Sequence, residues 1–475
     1  MVTVPPPSVD AAPSHGPGPG SWTDRKRRLW LIGLLVPVLP LAALGLVEWT
    51  DLRAFWWFGP VFVFVVIPLV DVAVGLDRQN PPDGAIGWLE QDRYYRWVVY
   101  AYLPLQFAGI VTACHVWTTQ DLAVVDKLGL AVTVGCVTGI GINAAHELGH
   151  KTDDLERWLS KIALAPAFYG HFYVEHNRGH HVRVATPEDP ASSRLGESLW
   201  AFLPRTVVGS LRSAWHLENR RRKRRGMAWF DPRNDIVNAW LMSIALCAAL
   251  LAGFGLEVLP WLLAQAVVGV CLLEIVNYLE HYGLLRQRTA DGRYERVRPE
   301  HSWNSDNLTT SLFLLHLQRH SDHHANPTRR YQSLRSQEAA PQLPAGYATM
   351  VVMALVPPLW RRIMDPRLVA HYDGDVTRAN IAPRRRAHLL ARYVRRGEAH
   401  GSGPGAVRAQ VPHGHPGHGP GDVQVARTGL DEVAHGDPAE DVDDRGEGGQ
   451  VGSREGPSDP RGDGVPERDV HRGGV

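Results

Sequence analysis

The chain has 475 residues, of which 44% are hydrophobic, and its 50 Lys and Arg against 49 Asp and Glu leave a formal net charge of +1. Four cysteines (Cys114, Cys136, Cys247, Cys271), all in apolar stretches and none in a Cys-x-x-Cys pair, exclude a disulfide framework and a thiolate metal site. The mean hydropathy of -0.18 hides long apolar blocks, because a polar C-terminal stretch pulls the average down.

Residues 1–24 are rich in Pro, Gly and Ser and are expected to be disordered. Arg25, Lys26, Arg27 and Arg28 then precede an apolar run from Leu29 to Val47. At about 1.5 Å per residue this run crosses roughly 30 Å of hydrocarbon. Its late start and length favour a retained helix over a cleaved signal peptide. Further spans are expected at about Phe55–Gly75, Val98–Trp117, Leu128–Ala145, Ile236–Phe254 and Leu259–Tyr278. About six transmembrane helices place both termini on one side.

Basic residues choose that side. Arg25–Arg28, Arg78 with Arg93 and Arg96, and the run Arg220–Arg225 fall at the N-terminus or in the even-numbered loops, as the positive-inside rule requires of cytoplasmic segments. The run Arg220–Arg225 lacks the interleaved aromatics of a nucleic-acid patch, so no nucleic acid is expected; topology is its plain role and docking of an acidic protein a further one.

The chemistry lies in the histidines. The fourth span ends in HELGHK, with His146 and His150 at i and i+4 on one helix face. EHNRGHH supplies His176, His180 and His181; NYLEHYGLL supplies His281; LQRHSDHH supplies His320, His323 and His324. All four clusters open to the cytoplasmic side of the expected topology. Nine imidazoles exceed what one four- to six-coordinate ion accepts, so two metals are the economical reading. HELGH also satisfies the H-E-x-x-H pattern of zinc proteases, but one zinc would leave most of the other histidines without a role. A metal carrier is disfavoured because its histidines would line a path through the spans rather than crowd one face.

At these boxes the sequence resembles the bacterial alkane 1-monooxygenases, membrane non-haem di-iron enzymes related to xylene monooxygenase and, more distantly, to fatty-acid desaturases. NPPDG at Asn80, QDRYYR at Gln91, ATPEDPASSRLGES at Ala185, DGRYE at Asp291, HSWNSDN at His301 and PTRRYQSLR at Pro327 carry the same likeness, which covers about Asp24 to Ile381. The resemblance implies an all-α integral-membrane fold whose cytoplasmic helical cap holds two irons on His146, His150, His176, His180, His181, His281, His320, His323 and His324. It implies an oxidoreductase that inserts one atom of O2 into a terminal C–H bond of a medium-chain n-alkane, the first step of alkane degradation. Electrons would come from rubredoxin and its NADH-dependent reductase, in a bacterial inner membrane. Glu147, Glu175, Glu280 and Asp322 are candidates to orient the imidazoles from behind.

Alkanes partition into lipid, so an apolar pocket entered sideways from the bilayer is expected, with Val63 in the second span as a chain-length determinant. His171 is a further candidate near the second box, and His115 lies at the far end of the third span. The membrane domain is assigned to 25–390. Residues 391–475 have the composition of a disordered tail, and the HGHPGHG stretch at His413 reads as incidental. Some members of the resembled family carry a rubredoxin module there; its two Cys-x-x-Cys pairs are absent, and an out-of-frame remnant of such a module is one reading.

Overall fold

The polypeptide folds around one buried helix, Val124–Gly149, the fourth span. The computed structural model describes residues 22–401. Among these there is no β-strand, only isolated bridges such as Asn304 with Gln342. Five helices are long and apolar enough to cross a membrane: Arg53–Val74, Arg93–Thr119, Val124–Gly149, Asp235–Phe254 and Leu256–Glu280.

The first expected span is bent. Leu29–Leu35 and Leu39–Thr50 form two pieces at 64° to one another. Pro37 and Pro40 supply no backbone N–H, so an unbroken ladder cannot pass this point. The second span carries a π-helical turn at Phe62–Val66 just before Pro68. The missing proline donor releases the preceding ladder, and a widened turn accommodates it.

The fourth span holds its neighbours close through small residues. A Cβ at Gly135 would lie 2.5 Å from Cβ of Val268, and one at Gly139 would lie 3.1 Å from the Gly269 carbonyl on the sixth span. Such spacing lets two membrane helices approach backbone to backbone. Buried polar groups within the bundle find partners, as an environment without water requires. Glu274 accepts from Tyr169 Oη (2.7 Å), Thr206 Oγ1 (2.7 Å) and Asn277 Nδ2 (3.1 Å), tying the sixth span to the helix Leu199–Arg224.

A cap of short helices closes one end of the bundle. The start of the chain packs into it: Lys26 Nζ meets Asp77 Oδ2 at 2.5 Å, Tyr95 donates to Asp24 at 2.7 Å, and Trp30 stands edge-on to His316 and Tyr331. The helix Arg386–Gly401 runs across residue 390. Leu389, in its first turn, is buried in the core. The rest of the expected tail, including His413, lies outside the described residues, as do residues 1–21.

Candidate metal centre

Four separate segments deliver the nine box histidines to one place. His146 occupies the last turn of the fourth span and His150 caps it. The second box is a π-helical turn, His176–His180, followed by His181. In a π turn the i→i+5 hydrogen bond brings residue i+5 nearly above residue i, so that His176 and His181 face the same way. Their Nε2 atoms lie 3.1 Å apart. His281 follows directly on the sixth span, and the short helix His320–Ala325 carries the last three.

The ligand atoms fall into two sets. His146, His150, His176, His181 and His323 form one; His180, His281, His320 and His324 form the other; within each, every pair of candidate ligand atoms lies within 4.8 Å. Nε2 atoms meet at 3.0 Å (His146 with His323), 3.1 Å (His181 with His323), 3.2 Å (His281 with His320) and 2.9 Å (His320 with His324). Metal–imidazole bonds of about 2.1 Å at right angles separate two nitrogens by roughly 3.0 Å, so these pairs are spaced as neighbouring ligands of one ion. Nε2 of His150 and of His180 are buried without any partner, a costly state that ligation relieves. The donor set therefore fits two metal ions.

Electrostatics favour the same state. Burial, reinforced by the crowding of other imidazoles, holds His150, His176, His181, His320, His323 and His324 well below the usual imidazole range, and brings His281 down to about 3. Neutral imidazole is the form that binds metal.

Behind the rings stand groups that fix their orientation. Asp189 Oδ2 meets His180 Nδ1 at 2.9 Å and also accepts from Ser192 Oγ at 2.6 Å, leaving Nε2 of His180 to face its set. His281 Nδ1 lies 3.1 Å from the His301 carbonyl. Neither partner stood out in the sequence as a support, since each acts across a loop at no periodic spacing. Truncating Asp189 to Ala should lower metal occupancy or turnover about 10- to 100-fold, measured by metal content and product formation in the same preparation.

Of the four carboxylates expected to orient imidazoles, Glu280 alone comes within reach of a box ring in the described contacts, with Oε2 3.2 Å from His320 Nε2. Glu147 and Asp322 make other contacts. Glu147 pairs with Lys151 (3.0 Å) and accepts from the Tyr331 amide (3.3 Å), so it holds the loop that follows the LQRHSDHH segment. Asp322 holds Arg329 at 2.8 Å, the Arg335 amide at 3.0 Å and Gln337 at 2.9 Å. Its helical neighbours point to the metals while its own side chain faces the opposite way. Glu175 pairs with Arg183 at 2.8 Å, and burial pushes its carboxyl up to about 7. His171 meets the Tyr169 ring edge-on and joins neither set, and His115 is exposed at the far end of its span.

Directly beneath the cap lies a narrow apolar cavity of about 50 Å³. Asn143, one turn before His146, Val276, one turn before Glu280, and Leu317, one turn before His320, line its upper part; Val63, Ile67 and Leu272 line it among the spans. Val63 is 4% exposed and sits in the π turn of the second span. The cavity thus lies among the spans, with Asn143, Val276 and Leu317 of its lining three to five residues before His146, His281 and His320 in the chain.

A multi-pass membrane bundle closed by a cap with two imidazole sets above an apolar cavity defines an integral-membrane histidine metalloprotein. The family model for fatty acid desaturases matches residues 127–390. Alkane 1-monooxygenase of Acinetobacter baylyi is 47% identical over 78% of this chain and 91% of its own length. Alkane 1-monooxygenase 1 of Alcanivorax borkumensis is 43% identical over 76% and 90%, and alkane 1-monooxygenase of Pseudomonas putida 40% over 81% and 94%. The chain belongs to the alkane 1-monooxygenase family.

Proposed function

We propose that the protein hydroxylates the terminal carbon of medium-chain n-alkanes with O2, through two irons held by His146, His150, His176, His181 and His323 on one side and His180, His281, His320 and His324 on the other. The observation that carries this reading is the convergence of the two imidazole sets at the head of an apolar cavity. When bound, the irons supply the activation of O2 and the transfer of one oxygen atom to carbon.

The chain's own residues do the rest. Val63, Ile67, Leu272, Leu273 and Val276 offer an alkane only apolar contacts, so binding rests on van der Waals packing and carries no directional bond. Orientation must then come from shape, which leaves one chain end at the imidazoles. The apolar walls keep water from that end. Neutral nitrogen ligands leave the centre more positive than carboxylates would, which favours its reduction, and Asp189, behind His180, is the carboxylate placed to moderate that charge.

Rubredoxin with its NADH-dependent reductase is the electron source this reading requires. Arg220, Lys223, Arg224 and Arg225 are exposed at the end of the helix Leu199–Arg224 and suit an acidic partner. With the arginine-rich segments placed on the cytoplasmic face, the inner membrane holds the protein with both termini and the metal centre inside. The catalytic domain spans 25–390, and the segment beyond takes no part in the chemistry.

Membranes containing the protein, supplied with rubredoxin, its reductase, NADH and alkanes from pentane to hexadecane, should yield 1-alkanols in step with O2 uptake, and the purified chain should hold two irons. One metal per chain, zinc in active protein, or alcohol formation without O2 would overturn the proposal. In the same assay Val63→Trp should shift the preferred substrate shorter by about two carbons, because the indole fills the cavity's lower part. An unchanged profile would remove Val63 from the pocket's floor.

A further inference from the structure

A second cavity, of about 450 Å³, opens on the side of the cap between the start of the helix Leu199–Arg224 and the segment 382–385. Arg194, Arg205, Arg361, Arg384 and Arg385 line it with a single carboxylate, Glu197. That carboxylate is already taken: Arg205 binds it in a fork, Nε to Oε1 at 2.7 Å and Nη2 to Oε2 at 2.9 Å. Arg384 and Arg385 carry no ion pair among the described residues, and Nε of Arg361 is buried without a partner. Burial and the neighbouring Arg205 guanidinium depress the pKa of Arg194. The cavity lining therefore carries a net charge of four positive groups, with no carboxylate in it other than Glu197.

The surroundings place this space beside lipid. Trp200, Val208, Leu211 and Trp215 recur along one face of the helix Leu199–Arg224 and are 57%, 45%, 38% and 36% exposed. Leu355, Val356 and Leu359, at the start of the helix Pro357–His371, are 39%, 49% and 41% exposed, and Trp200 donates to the Leu355 carbonyl at 3.2 Å. An apolar face with tryptophan at its end marks helices lying at the lipid–water boundary. Arg361 lies half a turn beyond Leu359, on the side that leaves the apolar layer.

We propose that this arginine-lined cavity holds the phosphodiester headgroup of an anionic phospholipid, with the acyl chains running over the apolar face formed by Trp200, Leu355, Val356 and Leu359. A bidentate guanidinium suits phosphate oxygens, and the adjoining apolar surface distinguishes a lipid from free phosphate or an acidic protein. The full-length chain, delipidated in a neutral detergent, is titrated with phosphatidylglycerol or phosphatidylcholine and the bound lipid counted by native mass spectrometry. Wild type should prefer phosphatidylglycerol at least about tenfold, and the double variant Arg384→Gln, Arg385→Gln should lose on the order of twenty-fold in its affinity, at roughly one surface arginine's attraction each. Both residues are exposed, so metal content should match wild type; should the variant fail to fold, the wild-type preference alone decides. Equal binding of the two lipids, or displacement of phosphatidylglycerol by millimolar inorganic phosphate, would overturn the proposal. So would a variant that keeps its lipid preference while its KM for rubredoxin rises.

Discussion

Replacing His323 with alanine should cost the protein one of its two metal ions and all measurable turnover while leaving it folded in the membrane. His323 Nε2 lies 3.0 Å from that of His146 and 3.1 Å from that of His181, so this one ring joins the LQRHSDHH segment to the fourth span and to the EHNRGHH segment. Its removal leaves four imidazoles in the larger set, with two of them facing a gap no protein atom fills. The smaller set keeps all four of its rings. Iron per chain should fall from two to about one, and 1-alkanol formation by at least about 100-fold, since supporting residues alone are worth 10- to 100-fold and a ligand is worth more. His115→Ala, at an exposed position on the far end of the third span, is the matched control and should change neither quantity. A His323→Ala protein that retained two irons and normal turnover would show that the nine rings do not act as ligands.

The histidines were legible because their spacing is local. His146 and His150 at i and i+4 need only a helix to share a face, and a helix was readable from the apolar run before them. The division into five and four was not legible, because it depends on the π turn at His176–His180, which sends His176 and His181 to one set and His180 to the other. Sequence periodicity says nothing of a single widened turn. The same limit applies to the second span, whose π turn carries Val63, and to the first, where composition promised one helix and two prolines divided it. Supports such as Asp189 were hidden for another reason. It reaches His180 from across a loop, whereas Glu147 and Asp322, which adjacency in sequence suggested, turn away to bind Lys151 and Arg329. On a helix, sequence neighbours diverge by about 100° per residue, so a carboxylate beside a ligand faces elsewhere by default.

The close contact of the fourth and sixth spans makes Gly135→Ala a substitution expected to harm the fold well beyond its size. The added Cβ would lie 2.5 Å from Cβ of Val268 and 2.9 Å from the Gln265 carbonyl, and neither atom sits at the end of a flexible side chain. Relief requires the two helices to separate. Both end in ligands, the fourth in His146 and His150 and the sixth in His281, so a shift between them moves the two imidazole sets relative to each other. Overpacking of this kind costs about 1–3 kcal/mol, and the midpoint of thermal unfolding in detergent should fall by roughly 5 °C, with iron content falling alongside. Gly45 offers the comparison, because a Cβ there meets nothing within 4 Å. Gly45→Ala should leave stability and metal content unchanged, or raise stability slightly as alanine relieves the helix of a glycine. If Gly135→Ala were as stable as Gly45→Ala, the two spans would have to be more loosely packed than their contacts show, and the rigid spacing on which the metal geometry depends would need another source.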